Sequence, residues 1–345
     1  MTVTRLKDYL NWQPVKHTVF KDAQISEIIH NSGHITLNCL SKEQLSQLNE
    51  FFQEEHSFDV KEGGMFYSMY SRDKDYRKRV HETIGEILKP TLEKYFVDYK
   101  NIINAFVVKL PGEKSEFYVH QDTSALDEFQ FSPLSLWIPL HDVSAENGAL
   151  AIIEKTHWFF SPLRGVTIPF PFNRINETIK KYLKPVDLKA GELLCFDNRI
   201  IHNSLANTTD KARIAIVCGV FPKESEFQTC HRQTPESEIE VYKHEEDYML
   251  NYPHFFYNCH DRPVSGNVVK SYNQGFPDIS AEEFEELCAL NNIPIQNALS
   301  NSEMTTTNCQ MIAEPDGINR FDDDSCAVPV SKPQKKRFFS FLKRS

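Results

Sequence analysis

The sequence predicts a mainly β protein, with antiparallel strands closed into a barrel or double-sheet jelly roll and helices beside it. Two observations support this fold class. After Lys100, short strand-like segments follow one another between turn residues, without helical periods separating them, which is typical of antiparallel β folds. Before Lys100 the apolar spacing is helical instead. A chain of 345 residues is also long enough to bury a sizeable core.

The part of the chain before the strands contains two predicted helices, which we expect to buttress the barrel. A short strand at 34–37 precedes a capping-box start at Ser41, and apolar residues then recur on one helical face. A second helical stretch runs from Asp75 to about Tyr99. We expect Pro90 to break or kink it, because proline lacks an amide hydrogen and crowds the preceding turn.

The predicted strands are separated by turns and by one long insert. They cover 102–110, 116–120, 134–140, 149–153, 192–196, 200–204 and 212–221. The insert, 158–185, is rich in Phe and Pro. We expect most of its aromatic side chains (Trp158, Phe159, Phe160, Phe170 and Phe172) to pack against the barrel, with a lid over the site as the alternative.

The organisation along the chain predicts one domain over residues 1–296, with its barrel core at about 100–222 and a wrapping segment at 223–296. Residues 297–345 are polar and poor in apolar side chains, which predicts a disordered tail. The tail ends in a basic and aromatic segment, 332–345. We expect that segment to be solubilising, with weak contact to an anionic membrane surface or a protein as the alternative.

Composition argues against several classes of protein. The chain has 38 Lys and Arg against 48 Asp and Glu; six of the basic residues and no acid lie in 332–345, which leaves −16 for the rest. That charge repels phosphates, so we expect no nucleic-acid partner. The longest apolar run, 214–221, is far shorter than the roughly 20 residues of a membrane-spanning helix, and the first residues lack the apolar stretch of a secretory signal.

Cysteine usage predicts a reduced, cytoplasmic protein. Eight cysteines are scattered without any Cys-x-x-Cys pair, and a chain of this size is unlike small disulfide-rich secreted domains. Cys-His pairs occur at 230–231 and 259–260, but they lack the close spacing of most zinc sites.

Three short segments carry the residues that predict chemistry. His120 and Asp122 end one predicted strand, and His202 lies on a later one. Residues at i and i+2 of a strand share a face, so His120 and Asp122 can bind one metal ion. With a second imidazole, this set suits Fe(II) and leaves coordination positions open. His-x-Asp alone is weak evidence, because roughly one such triplet is expected by chance in this composition.

Arg213, eleven residues beyond His202, predicts a second ligand. A dicarboxylate co-substrate that chelates iron through its keto-acid end would direct its far carboxylate into the barrel, where an arginine can bind it bidentately. Ser204 shares a strand face with His202 and can add a hydroxyl. We expect the other polar residues near the motif (His141, His157 and Arg199) to be structural or exposed.

At these residues the sequence resembles the phytanoyl-CoA dioxygenase family of Fe(II)- and 2-oxoglutarate-dependent oxygenases, over about residues 33–222. The matching segments are 109–112, 120–122, 136–140, 146–150 and 202–213. After its Asn-Gly turn the family often has Gly-Ser-His or Gly-Thr-His. This chain has Lys155-Thr156-His157 instead, and we expect the missing glycine to alter the loop over the site.

The resemblance implies a double-stranded β-helix (jelly roll, cupin-like) that uses Fe(II), 2-oxoglutarate and O2. It implies iron ligands at His120, Asp122 and His202, 2-oxoglutarate contacts at Arg213 and Ser204, and Trp137 in the same pocket. Lys109 aligns with a recurring lysine of the family and is assigned to the same pocket, although a lysine at a strand end is usually solvated.

The function implied by the resemblance is hydroxylation of an unactivated C–H bond in a small organic or carrier-bound acyl substrate, with release of succinate and CO2. Asp122 favours hydroxylation, because related halogenating enzymes have a small residue in place of the carboxylate. Two alternatives stay open. The same three ligands can hold zinc in a metal-dependent hydrolase, and the barrel can bind a ligand without turnover.

Overall fold

The computed structural model describes residues 14–56, 64–159, 163–252, 261–273 and 279–296. Its helices are α1 (Ala23–Ser32), α2 (Lys42–Glu55), α3 (Lys74–Tyr95), α4 (Asn176–Lys180), α5 (Tyr248–Asn251) and α6 (Ala281–Leu290). The predicted tail at 297–345, with its basic end, lies outside the described residues, as do Phe160 and the Cys-His pair at 259–260.

The strands before the long insert are β1 (His34–Asn38), β2 (Met65–Tyr67), β3 (Tyr99–Lys109), β4 (Phe117–His120), β5 (Leu134–Pro139) and β6 (Leu150–Ile153). Those after it are β7 (Lys184–Pro185), β8 (Glu192–Asp197), β9 (Ile201–Ser204), β10 (Arg213–Pro222), β11 (Gln228–His231), β12 (Ile239–Lys243) and β13 (Asn267–Tyr272). The strand predicted at 34–37 and the seven predicted after Lys100 are all present, with bounds that differ by at most three residues.

The barrel consists of two facing sheets between which the chain alternates. The larger sheet has the order β1-β8-β5-β10-β3-β2 and the smaller has β4-β9-β6-β7. From β3 to β10 the chain passes from one sheet to the other at each step except between β6 and β7, which both lie in the smaller sheet. Neighbouring strands are antiparallel. Eight strands wound in this way form a double-stranded β-helix, so the predicted fold class is confirmed.

Hydrophobic packing covers the outer face of each sheet. The apolar stripe of α3, which includes Val80, Ile84 and Leu88, is buried with Phe106 and Val108 of β3. Helices α4 and α6 cover the smaller sheet in the same way. Apolar packing thus covers the outer face of each sheet. The polar groups of the barrel interior are therefore shielded on those faces and are available to form a binding site.

Helix α3 continues through Pro90 and ends at Tyr95. Pro90 therefore does not break the helix, and the alternative expectation, a kink at Pro90, stays a prediction. Pro90 and Glu86, whose carbonyl loses its partner at i+4, are both exposed. Water can therefore satisfy that carbonyl, which lowers the cost of an interior proline.

The segment after the barrel adds a three-stranded sheet, β11-β12-β13, and helix α6. This sheet was not predicted, because the sequence there has weak periodicity. Over the described residues, no helix is both long and apolar enough to cross a membrane.

Candidate active site

Three predicted ligands meet on the inner face of the smaller sheet. Strands β4 and β9 are antiparallel neighbours in which His120 lies opposite His202, and their ring centroids are 4.2 Å apart. Asp122 follows β4 by two residues. Its Oδ1 lies 3.8 Å from Nε2 of His120 and 3.9 Å from Nε2 of His202. One ligand atom from each residue falls within 4.8 Å of the others, close enough to hold one metal ion.

Backbone carbonyls set the orientation of both imidazoles. The Nδ1 of His120 lies 2.9 Å from the carbonyl of Tyr118, and the Nδ1 of His202 lies 2.9 Å from that of Ile200. Each Nδ1–H therefore donates to a carbonyl two residues earlier, and each Nε2 keeps its lone pair for a metal. Burial, followed by the nearby His202, lowers the pKa of His120, which favours the neutral imidazole that a metal ion needs.

Asp122 is fixed by contacts on three sides. Its amide hydrogen is donated to the carbonyl of Asn198 at 3.0 Å, and its own carbonyl accepts from Nε of Arg164 at 2.6 Å. The hydroxyl of Ser135 donates to Oδ2 at 2.7 Å. The remaining oxygen, Oδ1, faces the two imidazoles. A carboxylate held this way presents one oxygen to a metal without reorganising.

Arg213 lies inside the barrel and is 1% exposed. Its guanidinium carbon is 5.1 Å from the centre of the Trp137 ring. Its hydrogen bonds are long, 3.3 Å to the carbonyl of Val107 and 3.4 Å to the hydroxyl of Ser204. Among the described residues no carboxylate forms an ion pair with it, and its Nε has no hydrogen-bond partner. Burial lowers the pKa of Arg213.

Lys109 is fully buried beside Arg213, its cross-strand partner; a solvated strand-end lysine is therefore the wrong expectation. Its Nζ donates to the carbonyls of Ser204 and Leu205 at 2.6 and 2.5 Å. Burial and then the charge of Arg213 hold its pKa well below the usual range. The turn residue Gly148 has φ +85°, and a Cβ there would lie 2.8 Å from Cδ of Lys109. Lys109 thus fastens the end of β9.

These residues form two adjoining groups, and β9 contributes one residue to each. His202 and Ser204 lie on the same face of β9, so the strand carries a metal ligand at one point and a contact to Arg213 two residues later. Two neutral imidazoles and one carboxylate suit Fe(II), and a buried cation without a carboxylate suits an anionic ligand. The residues present therefore fit both iron and a dicarboxylate chelator.

Two other sequence expectations can be compared with the structure. Phe159 and Phe172 of the insert are buried against Phe284 of α6, on the outer face of the smaller sheet, which agrees with packing rather than a lid. Cys230 is buried in a separate apolar cluster, and over the described residues the His-Asp-His group is the one set of at least three potential metal ligands.

Lys155 occupies the position at which the family often has glycine. Its φ is +67°, in the left-handed region that favours glycine. The loop thus keeps a backbone shape suited to glycine while carrying a lysine. The expected change in the loop over the site stays a prediction.

Sequence analysis missed the contacts that hold the metal ligands in place. Ser135, Arg164 and Asn198 all touch Asp122, and none belongs to a motif. Arg164 also forms a two-pronged ion pair with Glu128 at 2.7 and 2.9 Å. No spacing signal in one sequence would reveal these residues, because each comes from a different loop or strand.

Fold and site together define a double-stranded β-helix protein with a candidate mononuclear metal centre. The sequence profile described as phytanoyl-CoA dioxygenase matches residues 25–215, which is more than half of the chain and includes every predicted site residue. The chain belongs to the phytanoyl-CoA dioxygenase family.

Curated relatives carry the same family name. The chain is 30% identical over 116 residues to a phytanoyl-CoA dioxygenase of Arabidopsis thaliana, covering 32% of this chain and 40% of the relative. It is 29% identical over 128 residues to phytanoyl-CoA dioxygenase domain-containing protein 1 of Danio rerio, covering 35% and 44%. The chain thus spans less than half the length of these curated relatives.

Similar solved structures include the non-haem α-ketoglutarate-dependent carbocyclase SnoK from nogalamycin biosynthesis, with 15% identity, a TM-score of 0.44, and coverage of 66% of this chain and 90% of that one. HygX from Streptomyces hygroscopicus, solved with nickel, 2-oxoglutarate and hygromycin B, has 12% identity, a TM-score of 0.43, and coverage of 59% and 88%.

Proposed function

We propose that this protein is an Fe(II)- and 2-oxoglutarate-dependent dioxygenase that hydroxylates an unactivated C–H bond of a small organic or carrier-bound acyl substrate. One O2 would be consumed, with one oxygen atom entering the substrate as a hydroxyl and the other entering succinate as 2-oxoglutarate loses CO2. Membership of the phytanoyl-CoA dioxygenase family supports the general class.

The observation that carries the proposal is the buried cation beside the metal ligands. Arg213 lies inside the barrel with long, weak hydrogen bonds and no carboxylate partner among the described residues. Burying an unpaired charge is costly, so a fold that keeps one there is suited to a ligand that supplies the opposite charge. A metal-dependent hydrolase needs no dicarboxylate co-substrate, so that alternative does not explain the buried cation.

Each part of the site has a separate task in this proposal. His120, Asp122 and His202 hold iron through Nε2, Oδ1 and Nε2. When bound, iron and 2-oxoglutarate supply the oxidising chemistry. Arg213 and the hydroxyl of Ser204 bind the far carboxylate of 2-oxoglutarate, which fixes its direction in the barrel.

The remaining neighbours shape the pocket and exclude water. The buried ring of Trp137 lies against the guanidinium of Arg213 and forms a wall, while Lys109 holds the carbonyl end of β9 in place. Asp122 retains its carboxylate, so the position that halogenating relatives free for halide stays filled. These features favour hydroxylation.

The substrate would approach over the exposed end of β4. Tyr118 is 38% exposed, and its ring lies 5.2 Å from the imidazole of His120. An aromatic side chain beside the metal suits an apolar or acyl substrate. The negative charge of the chain outside 332–345 does not suit a polyphosphate.

The first test is an anaerobic titration of the full chain with Fe(II) and 2-oxoglutarate, observing the weak visible charge-transfer band of a chelated iron–oxo-acid complex. The wild type should show the band and His202→Ala should lose it, whereas His34→Ala, another barrel histidine outside the triad, should keep it. Arg213→Lys should need more 2-oxoglutarate, and Arg77→Lys, a buried arginine of helix α3, should not.

Each result separates the alternatives. Iron binding without the band would overturn the 2-oxoglutarate assignment and favour the metal-dependent hydrolase, and absence of metal binding would favour a barrel without turnover. If the band forms, succinate release with candidate acyl and small organic substrates identifies the substrate. Isotope-labelled O2 then shows whether the product gains a hydroxyl.

A further inference from the structure

Three residues in or next to the candidate metal site, Gln121, Asp122 and His202, donate hydrogen bonds to the backbone carbonyls of one short turn. The turn, Asp197-Asn198-Arg199-Ile200, joins β8 to β9. The carbonyl of its second residue accepts the amide hydrogen of Asp122 at 3.0 Å, and that of its third accepts the side-chain amide of Gln121 at 2.6 Å. The carbonyl of its fourth residue accepts Nδ1–H of His202 at 2.9 Å. The direction of these carbonyls therefore sets the orientation of two metal ligands.

A buried ion pair fixes the conformation of this turn. The carboxylate of Asp197 accepts hydrogen bonds from the backbone N–H of Arg199 at 2.9 Å, from Nε at 2.8 Å and from Nη2 at 2.5 Å. Neither side chain is exposed. Burial opposes ionisation of Asp197, but the charge of Arg199 outweighs it and holds the pKa of that carboxyl well below its usual range. Both charges therefore persist at neutral pH.

The ion pair is also attached to parts of the chain outside the turn. Nη2 of Arg199 donates to the hydroxyl of Ser132 at 2.9 Å, and the amide hydrogen of Asp197 is donated to the carbonyl of Gly33 at 2.9 Å. Nε2 of His17, from the segment before α1, lies 3.0 Å from Oδ2 of Asp197. These contacts connect the turn to three other parts of the chain.

Stability alone does not explain a charged pair at this position. Replacing a buried ion pair by well-packed apolar residues is often neutral or stabilising, whereas charge-assisted hydrogen bonds have a fixed direction that apolar contacts lack. The pair lies immediately behind the carbonyls that orient the ligands, so its directional bonds act where ligand geometry is determined.

We propose that Asp197 and Arg199 are positioning residues of the metal site: their buried pair sets the turn that orients Asp122, Gln121 and His202, and thereby sets metal affinity and ligand geometry. This inference rests on the proposed metal site. It gives Arg199, which sequence analysis treated as merely structural or exposed, an effect on the chemistry through the turn.

The test is a titration of the full chain with Co(II), whose visible ligand-field spectrum reports both affinity and coordination geometry. Arg199→Lys keeps the charge but loses the planar fork, and Asp197→Asn keeps the shape but loses the charge. Each should bind Co(II) about 10- to 100-fold more weakly, as is usual when a residue behind a metal ligand is changed, and with an altered spectrum. Should Asp197→Asn fail to fold, Arg199→Lys alone decides the outcome.

The matched control is Arg77→Lys. Arg77 is buried to a similar degree and donates to the carbonyls of Ser71 and Leu250, away from the turn. It should bind Co(II) like the wild type even if its unfolding temperature falls. If Arg199→Lys is folded and titrates as the wild type does, the positioning role is wrong while the metal site stands. If the wild type itself binds no Co(II), the proposed function fails, and the positioning role with it.

Discussion

Arg199 and Arg213 lie in the same barrel, are both at most 1% exposed, and have opposite surroundings. Arg199 is held by Asp197 and Ser132 in short, well-directed bonds. Arg213 has two long hydrogen bonds and no carboxylate partner among the described residues. Burial opposes the charge of both, but Asp197 raises the pKa of Arg199 whereas burial lowers that of Arg213.

This difference shows that the partners of a buried charge tell more about its role than its degree of burial does. A charge paired within the protein orients the neighbouring backbone, as Arg199 does for the turn behind the metal ligands. A charge that is left unpaired is available to a ligand. Arginine therefore has two roles here: Arg199 orients the turn before β9, and Arg213, which contacts Ser204 at the other end of β9, is the proposed ligand-binding group.

The largest expected effect on stability comes from breaking the buried ion pair between Asp197 and Arg199. Asp197→Asn leaves Arg199 as a buried cation without its counter-ion, which should lower the free energy of unfolding by about 3–5 kcal/mol. Urea denaturation at neutral pH measures this loss. Asp142→Asn, which removes an exposed ion pair with Lys189, is the control and should leave the midpoint unchanged. Equal midpoints for the two variants would mean that the buried pair is not coupled to folding.

Replacing Arg213 should not destabilise the protein in this way. Arg213→Met removes a buried charge that has no carboxylate partner in the described part of the chain, so the unliganded protein should be as stable as the wild type or more stable. Its affinity for 2-oxoglutarate should fall about 100-fold or more, because two charge-assisted hydrogen bonds contribute about 1.5–3 kcal/mol each. Calorimetric titration of the Co(II)-loaded protein measures the affinity. A destabilised variant with unchanged affinity would reverse our assignment of Arg213.

The pH dependence of stability tests His157, a buried histidine that interacts with the charges of Asp197 and Arg199. Burial lowers the pKa of His157 to about 4, against the opposing charge of Asp197. The unfolded chain takes up a proton near pH 6.5, so stability should fall as pH drops from there toward about 4, by up to about 3 kcal/mol. Urea unfolding across this range should show a shallower slope for His157→Asn. An unchanged slope would mean that His157 does not cause the acid sensitivity.

The smallest effect is expected at Lys155, whose φ of +67° costs a side-chain-bearing residue about 1–2 kcal/mol. Lys155→Gly should stabilise the protein by up to ~1 kcal/mol once the greater freedom of unfolded glycine is subtracted. Lys155→Ala is the control, since it removes the contact of Nζ with the carbonyl of Asn291 but not the strain. Thermal unfolding of the two variants separates these contributions, and a glycine variant no more stable than the alanine variant would argue against strain.

Much of the barrel was predictable because its strands are short, bounded by turns and free of intervening helices. The capping box at Ser41 likewise marked the start of α2 correctly. The sheet β11-β12-β13 was missed because the periodicity of its charged and aromatic segments is weak. The helix continues through Pro90, because a proline's effect depends on whether the carbonyl that loses its hydrogen bond can meet water, which residue type does not reveal.

By itself the sequence determined where the barrel strands lie along the chain, the spacing of His120, Asp122 and His202, and the position of Arg213, since strand periodicity and residue chemistry are local properties. Only the tertiary structure decided that Lys109 is hydrogen-bonded to the end of β9, that Arg199 is paired with a carboxylate, and that Arg213 has no such partner within the residues that the structure describes. Pairing depends on which distant groups share a buried space and in what direction their carbonyls point. That information lies in the packing of the whole chain rather than in any motif.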